Sequence, residues 1–316
     1  MDKNNLRILT IIATYNGSRW IRKCIDSIQS SNKVTDVFVI DNASNDDTVF
    51  VLKSYPNIIL HENKDNLGFG QANNIGMRYA LENNYDYVFL LNQDAWVEND
   101  TLSTLISISI SNKEYGILSP LHYYSDQKSL EYNFSVQLSP WFCKDIMSDY
   151  VTKNQKEMKD IYPLNFVNAA AWLIPKKTLE IVGGFDPLFF QYGEDNNYCH
   201  RVKYHGFKIG VVPSTKIYHD CLDANNNKEQ NVEEQLRKFE LDTKTNFANI
   251  NTDVNKIKIV EFAFNKFILC LFFVFRLKIA DARFHFLAFR VVFENCSRII
   301  ESRNKNFISR PNYLSN

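Results

Sequence analysis

Tyr87-Val88-Phe89-Leu90-Leu91-Asn92-Gln93-Asp94-Ala95-Trp96-Val97 is the stretch on which the reading of the chain turns. Its first five residues are uninterruptedly apolar and bounded by polar sequence, the pattern of a short strand buried on both faces. The run stops abruptly at Asn92, Gln93 and Asp94. In an open parallel sheet, ligands sit just beyond the carboxyl ends of the strands. A carboxylate delivered there on a rigid strand suits a divalent cation and, through it, phosphate oxygens. The competing reading is that Asp94 caps the next helix.

Working outward toward the N-terminus, the same grammar repeats. Arg7 to Thr14 (RILTIIAT) reads as a buried first strand followed by a turn at Tyr15-Asn16-Gly17. Ser18 is placed to cap a helix in which Trp20, Ile21, Cys24, Ile25 and Ile28 recur at helical spacing. Val37 to Ile40 forms a second strand that ends in the polar run Asp41 to Thr48, and a helix follows around Val49 to Lys53. Ile58 to Leu60 is a third, shorter strand. Asn63 to Asn74 (NKDNLGFGQANN) reads as a glycine-marked loop ahead of a helix over Ile75 to Leu81. Alternating strands and helices at this spacing predict a doubly wound, parallel sheet. Asp41, Asp94 and the triplet Thr14-Tyr15-Asn16 then stand at three strand ends facing one crevice. No G-x-G-x-x-G follows the first strand, which counts against a dinucleotide-binding dehydrogenase.

Toward the C-terminus, Tyr115 to Leu121 reads as a strand, but the rest of 112–165 has no clear period, and a long stretch of that kind is commonly functional or mobile. Phe166 to Pro175 (FVNAAAWLIP) returns to strand character, with small residues that permit close approach of a ligand. Gly183-Gly184 fits a helix stop, and Glu194-Asp195 stand where the next helix begins; taken alone, the acidic pair would simply complement that helix dipole. Gly206 to Pro213 is a last strand leading to His219. A lone histidine in such a place is more often structural than a ligand.

The blocks TIIATYNG, VFVIDNASNDDT, NLGFGQANNIGMRYAL and FLLNQDAWV, in this order, resemble the nucleotide-sugar half of family 2 glycosyltransferases, and the rhamnosyltransferase-like branch in particular. Gly183 to Arg201 is similar to the family's GGFDE-FF-Y-ED-D-C-R signature and extends the resemblance to about residue 220. It departs from the pattern at Pro187, where an acid is usual, and at Asn197, which replaces an aspartate. The resemblance implies the GT-A fold, an α/β nucleotide-diphospho-sugar transferase fold with a Rossmann-like, mostly parallel sheet. The expected division is a catalytic domain over 1–222, with a nucleotide-sugar half (1–111) and an acceptor half (112–222), then a helical extension over 223–316. The acceptor half, and 112–165 within it, is where the family shapes acceptor choice.

The resemblance also implies roles. Asp94 stands at the aspartate of the family's D-x-D motif and is the first ligand expected for Mg²⁺ or Mn²⁺. His219 is a candidate second ligand, while Asn92, neutral at the motif's first position, binds weakly or contacts ribose. Thr14, Tyr15, Asn16 and Gln93 are expected around the nucleotide, with Asp41 accepting hydrogen bonds from the pyrimidine or ribose. Asn66, Gly68, Phe69, Asn73 and Asn74 are expected to shape the sugar-diphosphate side. Asp195 is the expected general base, with Glu194 orienting it or gripping the acceptor. Direct displacement on the face opposite the leaving group would invert the anomeric centre. The expected donor is dTDP-rhamnose or a UDP-sugar, and the acceptor a glycan or lipid-linked hydroxyl in bacterial surface polysaccharide assembly. A non-catalytic, nucleotide-sugar-binding family member is the alternative, favoured by Asn92 and Asn197 and opposed by intact Asp94 and Asp195. A nucleotidyltransferase would need a triphosphate-binding glycine-and-basic signature after the first strand, and none follows it.

Bulk composition names no partner, since 36 Lys+Arg balance 36 Asp+Glu. Distribution is more informative: from Val254 onward 11 Lys/Arg face 4 Asp/Glu, a net of +7, which leaves −7 for the remainder. A basic tail rich in phenylalanine on an acidic body suits an anionic membrane face. Within it, Ile257 to Ile300 holds two apolar helical stretches broken at Arg276-Leu277-Lys278, either a pair packed on the catalytic domain or an interfacial anchor. The longest apolar run, Phe267 to Phe275, is too short to cross a bilayer of roughly 30 Å as a helix. The six scattered cysteines lack any C-x-x-C pair and read as reduced thiols, and no signal peptide opens the sequence. The expected setting is the cytoplasm, peripherally on the inner membrane face, with no nucleic-acid partner because no such motif appears.

Overall fold

A computed structural model describes residues 6–154, 157–221 and 231–315. The expected boundary between 222 and 223, and the start of the extension around Asn225, lie outside the described residues.

One nine-stranded sheet organises the chain, in the order β3-β2-β1-β4-β8-β6-β9-β5, with β7 also pairing β9. The first four strands are β1 (Ile8–Thr14), β2 (Asp36–Asp41), β3 (Ile58–Glu62) and β4 (Tyr87–Leu91), all parallel to one another. Ile8, Ile12, Val39 and Phe89 point into one core layer, and Leu9, Ile11, Ile40 and Leu90 into another. Two buried faces remove the need for polar alternation, which is why these strands are continuous apolar runs.

Beyond β4 the sheet departs from a parallel one. β8 (Ala171–Pro175) runs antiparallel to β4, and β6 (Tyr115–Tyr124) antiparallel to β8. β9 (Lys208–His219) lies parallel to β6, while β5 (Ala95–Val97) and β7 (Tyr162–Leu164) pair antiparallel with β9. The doubly wound parallel arrangement therefore holds for β1 to β4, and the sheet as a whole is mixed. β9 also runs six residues past Pro213, so that His219 ends a strand and sits opposite Ala95.

The helices correct two further expectations. α1 (Ile21–Gln29) buries Ile21, Cys24, Ile25 and Ile28 as their spacing predicts, but Trp20 occupies its N-cap and Ser18 makes no capping bond. After the short α2 (Thr48–Leu52), α3 spans Gly68–Glu82 and begins seven residues before Ile75. Glycine and asparagine are weak helix formers, and here tertiary contacts override them. Gly68, at φ +79°, leaves 2.0 Å between an ideal Cβ and the Phe190 carbonyl oxygen. Asn74 accepts the Phe185 N–H (2.7 Å) and donates to the Phe185 carbonyl (2.8 Å). The glycine-marked stretch thus admits the backbone of the 184–190 loop and stitches the two halves together.

α4 (Thr101–Ser111) covers the sheet, and the aperiodic stretch holds α5 (Tyr132–Gln137), α6 (Ile146–Thr152) and β7. α7 (Lys176–Val182) and α8 (Glu194–Tyr204) follow β8. The C-terminal helices are α9 (Val232–Phe247), α10 (Lys256–Phe275) and α11 (Ile279–Asn306), with the break between the last two at Arg276-Leu277-Lys278 as expected. They share a core with Leu188 and Phe189. Asp186 fixes the arrangement, since one of its oxygens accepts hydrogen bonds from Ser302 (2.6 Å), Asn306 (2.7 Å) and Tyr313 (2.9 Å).

Candidate active site

Parallel pairing brings the carboxyl ends of β2, β1 and β4 side by side, with Thr14 in register with Asp41. Gln93, just past β4, binds the end of β1. Its Oε1 accepts from the Thr14 hydroxyl (2.5 Å) and the Tyr15 N–H (3.0 Å), and its Nε2 donates to the Tyr15 carbonyl (3.2 Å). Asn16 ties this turn to the loop after β2, where its N–H meets Ser44 Oγ at 2.9 Å and its Oδ1 accepts from the Asn45 N–H at 2.8 Å. Asp41 is buried, with one oxygen on the Ser44 N–H (3.0 Å) and the other unpaired.

The remaining residues expected on the donor side divide. Asn66 Oδ1 takes the Asn42 side chain (3.0 Å) and the Gly68 N–H (2.9 Å), and Asn73 donates to the Phe69 carbonyl (2.9 Å). Phe69 packs edge-on against Phe185 with ring centres 5.7 Å apart. The amides of Asn66, Asn73 and Asn74 are thus engaged by the protein itself. Asn92 differs: its Oδ1 is buried without a partner among the described residues, and its Nδ2 faces His219 Nε2 at 3.5 Å.

Asp94 and His219 form the first of two ionisable centres. Asp94 Oδ1 lies 3.2 Å from His219 Nε2, and the Asp220 N–H donates to the Asp94 carbonyl at 2.9 Å. On its other side, His219 Nδ1 meets Glu131 Oε2 at 3.1 Å, and His122 faces the same oxygen at 3.8 Å. Burial would raise the Glu131 carboxyl, but the contacts with His122 and His219 outweigh it and hold it at about 2. Burial would likewise strip His219 of its proton, yet Asp94, Cys221 and Glu131 push its pKa well above the ordinary value.

This donor set fits a divalent cation. Two ligands at right angles with bonds near 2.1 Å stand about 3 Å apart, close to the separation of Asp94 Oδ1 and His219 Nε2. A carboxylate behind the other ring nitrogen is the usual orienter of a ligating imidazole, and Glu131 occupies that place. Cys221 adds a thiol, its Sγ within 4.8 Å of ligand atoms of Glu131 and His219. Glu131 and Cys221 escape sequence reasoning because the first lies in aperiodic sequence and the second is one of six scattered cysteines.

Glu194 and Asp195 form the second centre, in the first turn of α8 behind Gly193, its N-cap at φ +82°. Asp195 Oδ1 accepts the Asn196 N–H at 2.7 Å, and the Ala169 N–H also reaches its carboxylate. Burial dominates these bonds and raises Asp195 to about 6. Burial, then the Asp195 charge, raises Glu194 to about 7, and Glu194 Oε2 is unpaired. The two centres are linked through Ala169-Ala170, since the Ala170 carbonyl accepts the Asn92 N–H at 2.9 Å. Asn168 Oδ1, next to this link, is buried and unpaired as well. Buried polar atoms are rarely left unpaired in a folded chain, and those of Asp41, Asn92, Asn168 and Glu194 mark this crevice as a place for a polar ligand. Asn197 makes a structural bond instead, accepting from the buried Arg201 guanidinium at 2.9 Å.

An open sheet flanked by helices, with carboxylates beyond its strand ends, is the architecture of GT-A transferases. The chain belongs to glycosyl transferase family 2, whose sequence model matches residues 10–167, half of its length. It is 25% identical over 221 residues to rhamnosyltransferase WbbL of Escherichia coli K12, covering 67% of this chain and 83% of that one. It is also 25% identical over 223 residues to the dTDP-rhamnosyl transferase RfbF of Shigella flexneri, covering 69% and 71%. Among solved structures, S. aureus TarS 1-349 in complex with UDP-GlcNAc superposes with a TM-score of 0.55 at 14% identity, over 96% of this chain and 89% of that one. GalNAc-T7 with UDP, GalNAc and Mn²⁺ gives 0.57 at 16% identity over 76% of this chain, which spans about half (49%) of that protein.

Proposed function

We propose that this glycosyltransferase moves a sugar, with inversion, from dTDP-rhamnose or a UDP-sugar to a hydroxyl of a glycan or lipid-linked acceptor in bacterial surface polysaccharide synthesis. The observation that carries the reading is the pairing of two unlike ionisable centres across Ala169-Ala170. In this reading residues 1–222 act as the catalytic unit and 223–316 as its extension. Thr14, Tyr15, Asn16, Asp41, Asn92 and Gln93 surround the nucleotide, while Asn66, Gly68, Phe69, Asn73 and Asn74 hold the wall beside it. Asp94 and His219, oriented by Glu131, would hold Mg²⁺ or Mn²⁺, which when bound supplies Lewis-acid neutralisation of the departing diphosphate.

The acceptor hydroxyl attacks the anomeric carbon as the bond from that carbon to the diphosphate oxygen breaks. Its proton passes to Asp195, and the nucleoside diphosphate leaves with the electron pair. A base with pKa about 6 is ionised at neutral pH yet basic enough to share the proton as the new bond forms. Glu194, at about 7, keeps a proton into the neutral range and can donate a hydrogen bond to the acceptor.

The extension supports a peripheral contact with the inner face of the membrane. Phe275 and Leu277 at the α10–α11 turn are 86% and 84% exposed, beside Arg276 and Lys278. Among the described residues no helix is long and apolar enough to cross a membrane. Apolar side chains flanked by cations suit an anionic interface.

Thermal unfolding with dTDP-, UDP- and GDP-sugars, with and without Mn²⁺, tests the reading. A ligand at about 100 times its dissociation constant adds roughly 2.7 kcal/mol. A Mn²⁺-dependent rise with a dTDP- or UDP-sugar is expected. No rise with any of them would sink the proposal.

A further inference from the structure

The loop between Asp186 and α8 has a second neighbour besides the donor-side helix. At Gly193 an added Cβ would lie 2.7 Å from Leu241 Cδ1 and 2.9 Å from Thr245 Oγ1, so α9 packs directly on the residue preceding Glu194. Between this loop and α9 lies a cleft of about 560 Å³. Phe189 forms an apolar floor and the exposed Tyr192 a rim, while α9 contributes Arg237, Lys238, Leu241 and Lys244. Arg237, Leu241 and Lys244 are spaced by four and three residues and so share one helix face. Glu240, the single carboxylate lining the cleft, is neutralised by Lys244 at 2.6 Å. Arg237 and Lys238 are exposed and make no ion pair among the described residues. Among the described residues the lining therefore carries unpaired positive charge above an aromatic surface, and its Tyr192 stands three residues before the candidate base Asp195.

The geometry points to a binding site for a phosphoryl group carried by the acceptor. A guanidinium matches two phosphate oxygens at once and a neighbouring ammonium adds a point charge. The aromatic floor and rim suit the apolar or sugar body attached to that phosphate. This rests on Asp195 being the base, since the cleft would then fix the acceptor within reach of it. The charge selects phosphate-bearing acceptors over neutral glycans. The phosphate could be the diphosphate of a prenyl-linked acceptor or a phosphate ester within a glycan, and the two are separable.

The test is calorimetric titration of the full chain, saturated with UDP or dTDP and Mn²⁺ to fill the donor crevice. Farnesyl diphosphate, glucose 1-phosphate and inorganic phosphate serve as probes. One of the first two should bind more tightly than inorganic phosphate, and which one identifies the source. The charge-reversed variant Arg237→Glu/Lys238→Glu should weaken that binding roughly tenfold or more, as loss of charge-assisted hydrogen bonds predicts. The milder Arg237→Gln/Lys238→Gln variant guards against a folding defect and should weaken it in the same direction. Binding that ignores both variants, or no preference over inorganic phosphate, would overturn the proposal. Nucleotide titration of the same samples keeps the two readings apart, because failure of UDP and dTDP to bind would instead count against the donor assignment.

Discussion

Two groups of carboxylates face each other across Ala169-Ala170 in opposite electrostatic states. Glu131 is buried, yet its carboxyl sits at about 2 because imidazoles lie against it. Glu194 and Asp195 are desolvated, with no ion pair among the described residues, and rise to about 7 and 6. Burial pushes all three upward; the partner decides which centre stays charged. The charged centre is suited to holding an ion in place, and the more basic one, whose Asp195 is still ionised at neutral pH, to accepting a proton. The largest effect is expected from breaking the second. Asp195→Asn should lower transfer by about 10²–10⁴-fold, the span of general-base catalysis, while the donor-dependent rise in melting temperature survives. Retained turnover in radiolabelled sugar transfer would remove Asp195 from the mechanism.

The same centre leaves a mark on stability. Between about 4.5 and about 7 the native Glu194 binds more proton than its unfolded counterpart, so its contribution to stability falls as pH rises through that window. The penalty is absent below 4.5 and complete above about 7, and is on the order of 3 kcal/mol. Histidines elsewhere are displaced in both directions, so the informative quantity is a difference. Glu194→Gln should gain stability relative to the parent as pH rises from 5 to 8, measured by denaturant unfolding. Parallel curves for the two proteins would mean Glu194 titrates normally.

The charged centre should be sharpened by its orienting carboxylate. Glu131→Gln is expected to cost about 10–100-fold in Mn²⁺ affinity, the usual loss when a histidine ligand is no longer oriented. Competition with a metal-sensitive dye reads this directly. The acceptor-side pH dependence should not move.

How far the sequence discloses these centres depends on how local their causes are. β1, β2 and β4 are legible because two-sided burial writes each as an unbroken apolar run, and Asp41 and Asp94 are legible as the residues that end such runs. The break at Arg276-Leu277-Lys278 is equally local. The antiparallel entry of β8 is not, because strand order is set by packing between distant segments. Glu131 is hidden for the same reason, meeting His219 only after β6 and β9 pair over 88 residues of separation. Asn74 looks like a ligand-side asparagine, but both ends of its amide are taken by the Phe185 backbone. Resemblance alone does not separate a residue that touches a ligand from one that braces the wall beside it.

The smallest expected effect concerns that bracing. Asp186 is buried on the loop leading to α8, and its carboxylate gathers Ser302, Asn306 and Tyr313 from the C-terminal segment. Asp186→Asn keeps the shape but exchanges a charged acceptor for an amide, leaving at least one of the three donors with a weaker bond. A cost of about 1–2 kcal/mol follows from losing charge assistance in one such bond, read from the denaturation midpoint. If the extension serves the acceptor centre, the variant's residual loss should appear as a raised KM for acceptor. Its Mn²⁺- and nucleotide-dependent melting shifts should equal the parent's, because no hydrogen bond of Asp186 reaches Asp94 or His219. Equal loss of donor and acceptor binding would instead mean that the two centres move as one body and that the contrast between them is electrostatic only.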